Sequence, residues 1–521
     1  MDERRRFGEL FDHVRSGILL LGSAGLLALS VAPYDLGYAA TFALVPWLVV
    51  TQRTGPTRAL VVGCAFGVGV AILESLWIFD ALAAQGSHGV RRIIAVVVIA
   101  FWTKGSIFAL TGWAVRSFRR FDSGFAVCAP AILFGLLEFR MSHSSWGLPL
   151  NLFGHSQIGV HGVAQLAVAV GVSGISTFLF VLNSALARVF TDRAHANRAR
   201  NRRRALALGV TWFVAAVSGR PISEIFSAES ELIRPRRLLA VQPDIPHRER
   251  WGLVDQRTIL DSISNETSIA IANAANRPDA ILWPESLLDV SSSRTDPVRR
   301  QLQESVDRWG SPVVMGVVRS VKNSRPNRSG VYRNSVVWWS PVLGPIAWQD
   351  KVRAIPVVES GRRVWGHGLF RWLFPESANA SRVAEGLIAA PLKGEFTLAP
   401  ALCFEILFPD LVADRRDEES VAIINLADDS WVKGEVVDRQ IIASAAFRAI
   451  EQRLTLIRIS NGGLSVVIDR FGETVAELPP DAVGHMVVEV RATNRSTTAE
   501  KLALVLPALF AGGMVLLMTR D

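Results

Sequence analysis

Apolar segments recur along this chain at roughly 17–33, 37–51, 59–79, 92–115, 124–138, 160–187 and 205–218, with a last one at 502–518. Seven such stretches in the first 220 residues predict a bundle of membrane-crossing helices, and the eighth one more crossing near the C-terminus, because only helices and closed barrels satisfy their backbone in lipid. Composition agrees: half of the 521 residues are hydrophobic and only a fifth are charged. The net charge of +9 follows topology, since the arginines sit in short segments between apolar stretches and form no single basic face. A nucleic-acid partner is therefore not expected. The first segment follows MDERRR and reads as an uncleaved helix, because the second begins a few residues later and no small-residue cleavage site is convincing.

Orientation comes from the connecting segments. Arg4–Arg6, then Arg53 and Arg58, then Arg116, Arg119 and Arg120, then the seven arginines of RVFTDRAHANRARNRRR fall in alternate connections, which are expected to be cytoplasmic. Seven spans then leave the region from about 220 to 500 outside the cytoplasm, and one last helix returns the C-terminus.

That long region has another texture. Apolar runs rich in β-branched residues, RLLAVQ, AILWPE, PVVMGVV, NSVVWWS, FTLAPALCFE, SVAIINLA and LSVVID, alternate with helix-like stretches at 256–275, 297–309 and 438–453. Alternating strands and helices predict a layered α/β domain, and strands apolar without alternation predict cover on both faces. The expected divisions are 1–220 (membrane domain), 234–495 (catalytic domain) and 501–519 (C-terminal membrane helix).

Three residues stand where such a sheet presents side chains to a crevice: Glu285 in AILWPESLL, Lys351 in IAWQDKVRAIP and Cys403 in LAPALCFE. Singly, each has an ordinary reading: a core cysteine, a turn acid, a solvated lysine. Together they supply acyl transfer, with Glu285 as general base, Lys351 lowering the thiol pKa and stabilising the oxyanion, and Cys403 forming a thioester. Only three cysteines occur, too few for a disulfide framework, and Cys64 and Cys128 fall in apolar stretches. His88, His143, His155 and His161 lack ligand spacing, and no glycine-rich phosphate motif is present, so neither metal nor nucleotide cofactor is expected.

WPE around Glu285, KVRAIP followed by Glu359, CFE around Cys403, IINLADDSW ending at Trp431 and the RAIEQR of Arg448 and Glu451 resemble segments of the nitrilase, or carbon-nitrogen hydrolase, superfamily. LLALSVAPYDLGY, LLEFR, LPLNLFGHSQ and AQLAVAVGVSGIS ahead of that domain resemble the membrane half of the apolipoprotein N-acyltransferase family. The resemblance implies an αββα sandwich carrying a Glu-Lys-Cys triad on the periplasmic side of a bacterial inner membrane. It implies a phospholipid acyl donor, a diacylated apolipoprotein as acceptor and a monomer in the bilayer.

The same resemblance aligns Glu359 with the family's acid after the lysine and Glu405 with its Cys-x-Glu acid. A lipid-filled mouth would keep water from the thioester, and Trp338, Trp339, Trp365, Phe370, Trp372, Phe374, Phe404 and Trp431 are the expected lining. Glu74, Glu138 and Arg140 are ionisable residues in or beside spans, expected to face the bundle interior, with Arg140 beside Glu138 or a phosphate. Three features depart from the family pattern: Val357 and Val358 replace the usual Phe-Gly before Glu359, Phe404 replaces a tyrosine, and DDSWVKG replaces the commoner Asn-Asp-x-Trp-Phe-Gly. The alternative readings are a membrane-tethered amidase acting on a small amide and a non-catalytic scaffold.

Overall fold

The computed structural model describes residues 2–84, 87–121, 124–226, 234–245, 255–290, 296–320, 331–355, 359, 372–373, 382–383, 385–432, 434–493 and 498–518. The chain forms two compact units. One comprises Met1–Leu76, Ile93–Phe226 and Thr497–Asp521; the other comprises Trp77–Arg92 and Ser227–Ser496.

The first unit is helical: α1 (Asp2–Ser30), α2 (Val45–Arg53), α3 (Pro56–Glu74), α5 (Gly89–Ala100), α6 (Ser106–Phe118), α7 (Phe125–His143), α8 (His161–Ala164), α9 (Ala167–Thr191), α10 (His195–Phe226) and α15 (Thr498–Met518). Among the described residues six helices are long and apolar enough to cross a membrane, α5 and α6 running together through a π-helical turn at Phe101–Gly105. The protein is a membrane protein.

Two expectations are corrected here. The stretch 37–51 is not one helix: a 3-10 turn (Gly37–Thr41) precedes α2, whose nine residues reach only about 13 Å of a hydrocarbon layer about 30 Å thick. Its chain still returns to the arginine-rich end, because Arg116 donates to Thr54 O at 2.5 Å and Arg119 to both Gln52 O and Thr191 O. These arginines satisfy carbonyls at the C-termini of α2 and α9, where the helix dipole favours a cation. The segment after α9 is likewise no loop: Arg198–Arg204 lie within the first turns of α10.

Close packing explains the glycines of α3. A Cβ on Gly63 would lie 2.2 Å from Phe108 O, and one on Gly67 would lie 2.6 Å from Lys104 O, so this GxxxG face lets two backbones touch. Glu74 and Glu138 are buried, as expected. Glu74 pairs with Lys104, which also donates to Asn151 O at 2.9 Å, and Glu138 accepts from Phe153 N at 2.8 Å. Arg140 is exposed on α7 and shows no bond to Glu138.

The second unit holds two sheets. The first has the order β13 (Gly484–Val490), β1 (Arg236–Gln242), β2 (Ala280–Asp289), β3 (Val313–Ser320), β4 (Val331–Ser340), β5 (Gly344–Asp350), with β6 (Arg382–Val383) paired to β4. The second runs β12 (Thr474–Leu478), β11 (Ser465–Ile468), β10 (Leu456–Asn461), β9 (Ser420–Asp428), β8 (Thr397–Leu402), β7 (Leu392–Lys393). Strands β1, β2 and β3 are parallel, as are β8, β9 and β10.

Period-two alternation builds two separate cores. Leu238, Ala240, Leu282, Val314 and Val336 meet Leu398, Leu402, Ile424 and Ile459 between the sheets. Their neighbours Leu239, Val241, Ile281, Met315 and Val337 pack outward against α11 (Gln256–Asn273) and α12 (Pro297–Trp309). Helix α12 has the bounds its sequence predicts, because Asp296 caps it through Val298 N at 2.7 Å, Pro297 opens it and Gly310, at φ 64°, closes it. Among the described residues the remaining helices of this unit are α4 (Ile78–Ala84), α13 (Pro409–Asp414) and α14 (Glu435–Gln452). Ahead of α4, Trp77 Nε1 donates to Gln440 Oε1 of α14 at 3.1 Å.

Candidate active site

Glu285, Lys351 and Cys403 come from three different strands. Glu285 lies on β2 beside an irregularity in its pairing with β3, Lys351 follows β5, and Cys403 follows β8. Glu285 accepts from Asn334 Nδ2 at 2.5 Å and from Lys351 Nζ at 3.1 Å. Lys351 Nζ also donates to Glu359 at 2.8 Å, and the other oxygen of Glu359 accepts from Ile355 N at 2.8 Å. Asn334 has a second role, its carbonyl accepting from Lys351 N at 2.8 Å. The lysine is thus fixed at both ends, and its side chain is fully buried.

Burial alone would push the Lys351 ammonium down, but the charges of Glu285, Glu359 and Cys403 outweigh it and hold it well above the usual lysine range. Lys351 is a permanent cation here, and no base. The thiol behaves otherwise than the sequence led us to expect. Burial first, then the Glu285 carboxylate, push the Cys403 thiol well above its ordinary value; Lys351 pulls it down without prevailing, with Asp429 and Arg458 contributing smaller opposed effects. Cys403 is thus favoured as the neutral thiol, and Glu285 is the carboxylate acting on it most strongly.

Cys403 sits at φ 47°, left-handed for a non-glycine residue, between the last residue of β8 and a 3-10 turn (Cys403–Leu407). This sharp turn projects a side chain off the strand end. Glu405 secures it from below: fully buried, it accepts from Leu402 N at 3.0 Å, Val352 N at 2.6 Å and Arg353 N at 3.1 Å, while Arg415 holds both its oxygens at 2.5 and 2.8 Å. Burial would raise its pKa, yet Arg415 and the backbone donors keep it below the usual glutamate range. Glu405 therefore joins the lysine segment to the cysteine elbow.

Other expected lining residues are dispersed. Trp338 and Trp339 are buried in opposite cores, because β4 is an interior strand covered on both faces. Trp338 meets Phe396 edge-on at 4.9 Å, and Trp339 Nε1 donates to Gln303 Oε1 at 2.8 Å. Neither lines an open mouth. Phe404 is nearly buried against Phe408, with ring centroids 5.3 Å apart; Trp431 is half-buried, and Trp372 is exposed. Trp365, Phe370 and Phe374 lie outside the described residues.

Sequence reasoning missed Asn334, Arg415, Asn425 and Arg458. Their signal was available: Asn425 in AIINLA and Arg458 in LIRIS are polar residues inside apolar strands, a placement that burial penalises unless a partner waits.

The family model for the apolipoprotein N-acyltransferase N-terminal domain matches residues 23–185. The apolipoprotein N-acyltransferase of Brucella melitensis biotype 1 is 27% identical over 484 residues, covering 89% of this chain and 87% of its own. That of Rhizobium leguminosarum bv. trifolii is 26% identical, covering 90% and 89%. Over most of its length the chain is similar to apolipoprotein N-acyltransferases. The match to its relatives spans both units, so membrane half and sandwich are shared together. Among solved structures, a cysteine-to-alanine variant of the Nesterenkonia sp. AN1 amidase, from the nitrilase superfamily, aligns with 51% of this chain and 92% of its own at 17% identity and a TM-score of 0.36.

Proposed function

We propose that this protein moves an acyl chain from a phospholipid to the N-terminal amine of a diacylglyceryl-cysteine, by way of a thioester on Cys403. The observation that carries the reading is the single hydrogen-bonded assembly of Glu285, Lys351 and Glu359, acting on a cysteine at a strained strand end, in a chain whose relatives are acyltransferases.

Glu285 takes the thiol proton as Sγ attacks the ester carbonyl. The tetrahedral oxyanion forms beside the Lys351 ammonium, which is charged before the substrate arrives and needs no reorganisation. Collapse breaks the ester C–O bond, Glu285 returns the proton to the departing lysophospholipid alkoxide, and the thioester remains. The acceptor amine then attacks; Glu285 receives its proton, the C–S bond breaks, and the thiol is restored with an amide as product. Glu359 keeps Lys351 between two carboxylates throughout.

In the same reading the first 220 residues and 501–519 hold the protein in a bacterial inner membrane as a monomer. Residues 234–495 form the catalytic domain on the periplasmic side, supported by the clustering of arginines at one end of the helices. Donor and acceptor are both bilayer lipids, which suits an enzyme built into that plane.

The test is intact-mass analysis of detergent-purified protein incubated with phosphatidylethanolamine, beside Cys403→Ala. A single acyl-sized increment on the wild type alone, discharged by a diacylated lipopeptide, is expected. A folded wild type that gains no adduct from several phospholipids overturns the proposal.

A further inference from the structure

The register of β8, β9 and β10 places three residues in one row across the second sheet: Ala401 opposite Asn425, and Asn425 opposite Arg458. Asn425 Nδ2 donates to Ala401 O and to Cys403 O, both at 3.0 Å, so one amide grips the carbonyls on either side of Leu402. The Oδ1 end of that amide accepts from Arg458, whose other terminal nitrogen reaches Asp429 Oδ2 at 2.5 Å; Ser460 Oγ donates to the same carboxylate oxygen at 2.6 Å. Asn425 and Arg458 are both buried.

An asparagine amide presents either end to a neighbour with little steric difference, and hydrogen-bond partners decide which. Here the guanidinium on Oδ1 decides it, turning the NH2 toward the elbow. The elbow needs such help: a left-handed non-glycine backbone costs about 1–3 kcal/mol and persists only where its surroundings over-determine it. An arginine in the middle of an apolar strand is an expensive way to hold an amide, since a buried charge must be desolvated. Asp429 offsets part of that cost, and Arg458 Nε finds no partner among the described residues.

We propose that Arg458 is a positioning residue for Cys403, fixing its elbow through Asn425 and adding a second cation to the groups around the thiol. This rests on the reading of Cys403 as the acyl carrier. The groups that set the charge around the thiol are Glu285 from β2, Lys351 just after β5, Asp429 just after β9 and Arg458 from β10, with Asp438 of α14 acting on Arg458.

The experiment uses full-length protein in detergent with Arg458→Met, Arg458→Lys, Asn425→Ala and, as a control on the same carboxylate but off the elbow, Ser460→Ala. Acyl-adduct formation from phosphatidylethanolamine is followed by mass, and thiol alkylation by iodoacetamide is followed against pH. Arg458→Met and Asn425→Ala are expected to slow adduct formation about 10- to 100-fold at saturating donor, as lost preorganisation does, leaving the donor concentration dependence unchanged. Arg458→Met should also move the alkylation profile to higher pH, with Arg458→Lys partly restoring it and Ser460→Ala close to wild type. If Arg458→Met fails to fold, the Asn425→Ala rate carries the test. Variants that acylate at the wild-type rate, or a loss that tracks thermal stability equally in all of them with an unmoved alkylation profile, would overturn the proposal. A wild type that forms no adduct refutes the acyl-carrier reading instead, while the alkylation profiles still report whether Arg458 acts on the thiol.

Discussion

Gly316 on β3 packs its bare α-carbon against the backbone of Glu285 on β2: a Cβ there would lie 2.4 Å from Glu285 Cα and 3.0 Å from Ser286 N. Glu285 is seated by a missing side chain as much as by its hydrogen bonds. Gly316→Ala must push the strands apart where Glu285 meets Lys351. We expect about a 100-fold fall in acylation rate, the scale of a 1 Å misplacement, and a stability loss of about 1–3 kcal/mol from overpacking. Single-turnover adduct formation and thermal unfolding measure the two effects separately.

Removing the base should make the cysteine easier to ionise. Because the Glu285 carboxylate raises the Cys403 thiol pKa, Glu285→Gln lowers it. Iodoacetamide should then alkylate Cys403 faster at pH 8 in the variant than in the wild type, although acyl transfer falls by about 10²–10⁴. Slower alkylation in the variant would mean that Glu285 does not act on the thiol.

Arg415 and Glu405 form a buried pair whose rupture leaves a carboxylate uncompensated. Arg415→Met is expected to cost about 3–5 kcal/mol and to unfold the catalytic unit at a lower temperature. Glu405 is held below its ordinary pKa, so its contribution is present above the unfolded-state value near 4.5 and is lost as pH falls through the lower folded value. The Arg415→Met deficit should therefore shrink in strongly acidic buffer, as thermal scans between pH 3 and pH 7 would show.

Asp438 works in the opposite sense. Burial first, then the neighbouring Asp429, push it from 3.8 to about 7, against the pull of Arg458 and the Leu464 amide. The folded protein holds this proton more tightly than the unfolded chain, so stability declines as pH rises from about 4 toward 7 and then levels. Asp438→Asn cannot titrate. Its unfolding free energy should gain on the wild type between pH 5 and pH 8, by at most about 4 kcal/mol, as denaturant unfolding at each pH would show; a constant difference would refute the assignment.

Glu285, Lys351 and Cys403 stood out in the sequence because each comes at or just beyond the end of an apolar run: Glu285 after AILWP, Lys351 after IAW and two polar residues, Cys403 after LAPAL. Strand termini are visible as boundaries in a sequence, and boundaries are where side chains escape the core. Residues that hold the triad lie mid-strand or in neighbouring segments, and nothing in a one-dimensional pattern says that Asn425 stands between Ala401 and Arg458. The aromatic lining was misjudged for Trp338 and Trp339 because size and polarity were read without face; in a strand covered on both sides, neither parity reaches solvent. In the membrane half the apolar segments were plain, but hydropathy does not register the break between Gly37–Thr41 and α2, the helical start of α10, or the carbonyls at the ends of α2 and α9 that Arg116 and Arg119 bind.

The segment Trp77–Arg92 lies in sequence between helices of the membrane unit, yet belongs to the catalytic one, where Trp77 bonds Gln440. The two units are thus interleaved along the gene, and no single pair of cuts separates them. A fragment beginning near residue 227 would lack part of its own fold, and the indole that meets Gln440 on α14 would be missing. Trp77–Arg92 thus reaches the second unit only through a chain that also carries the helices before and after it, so the second unit is made whole only together with part of the first.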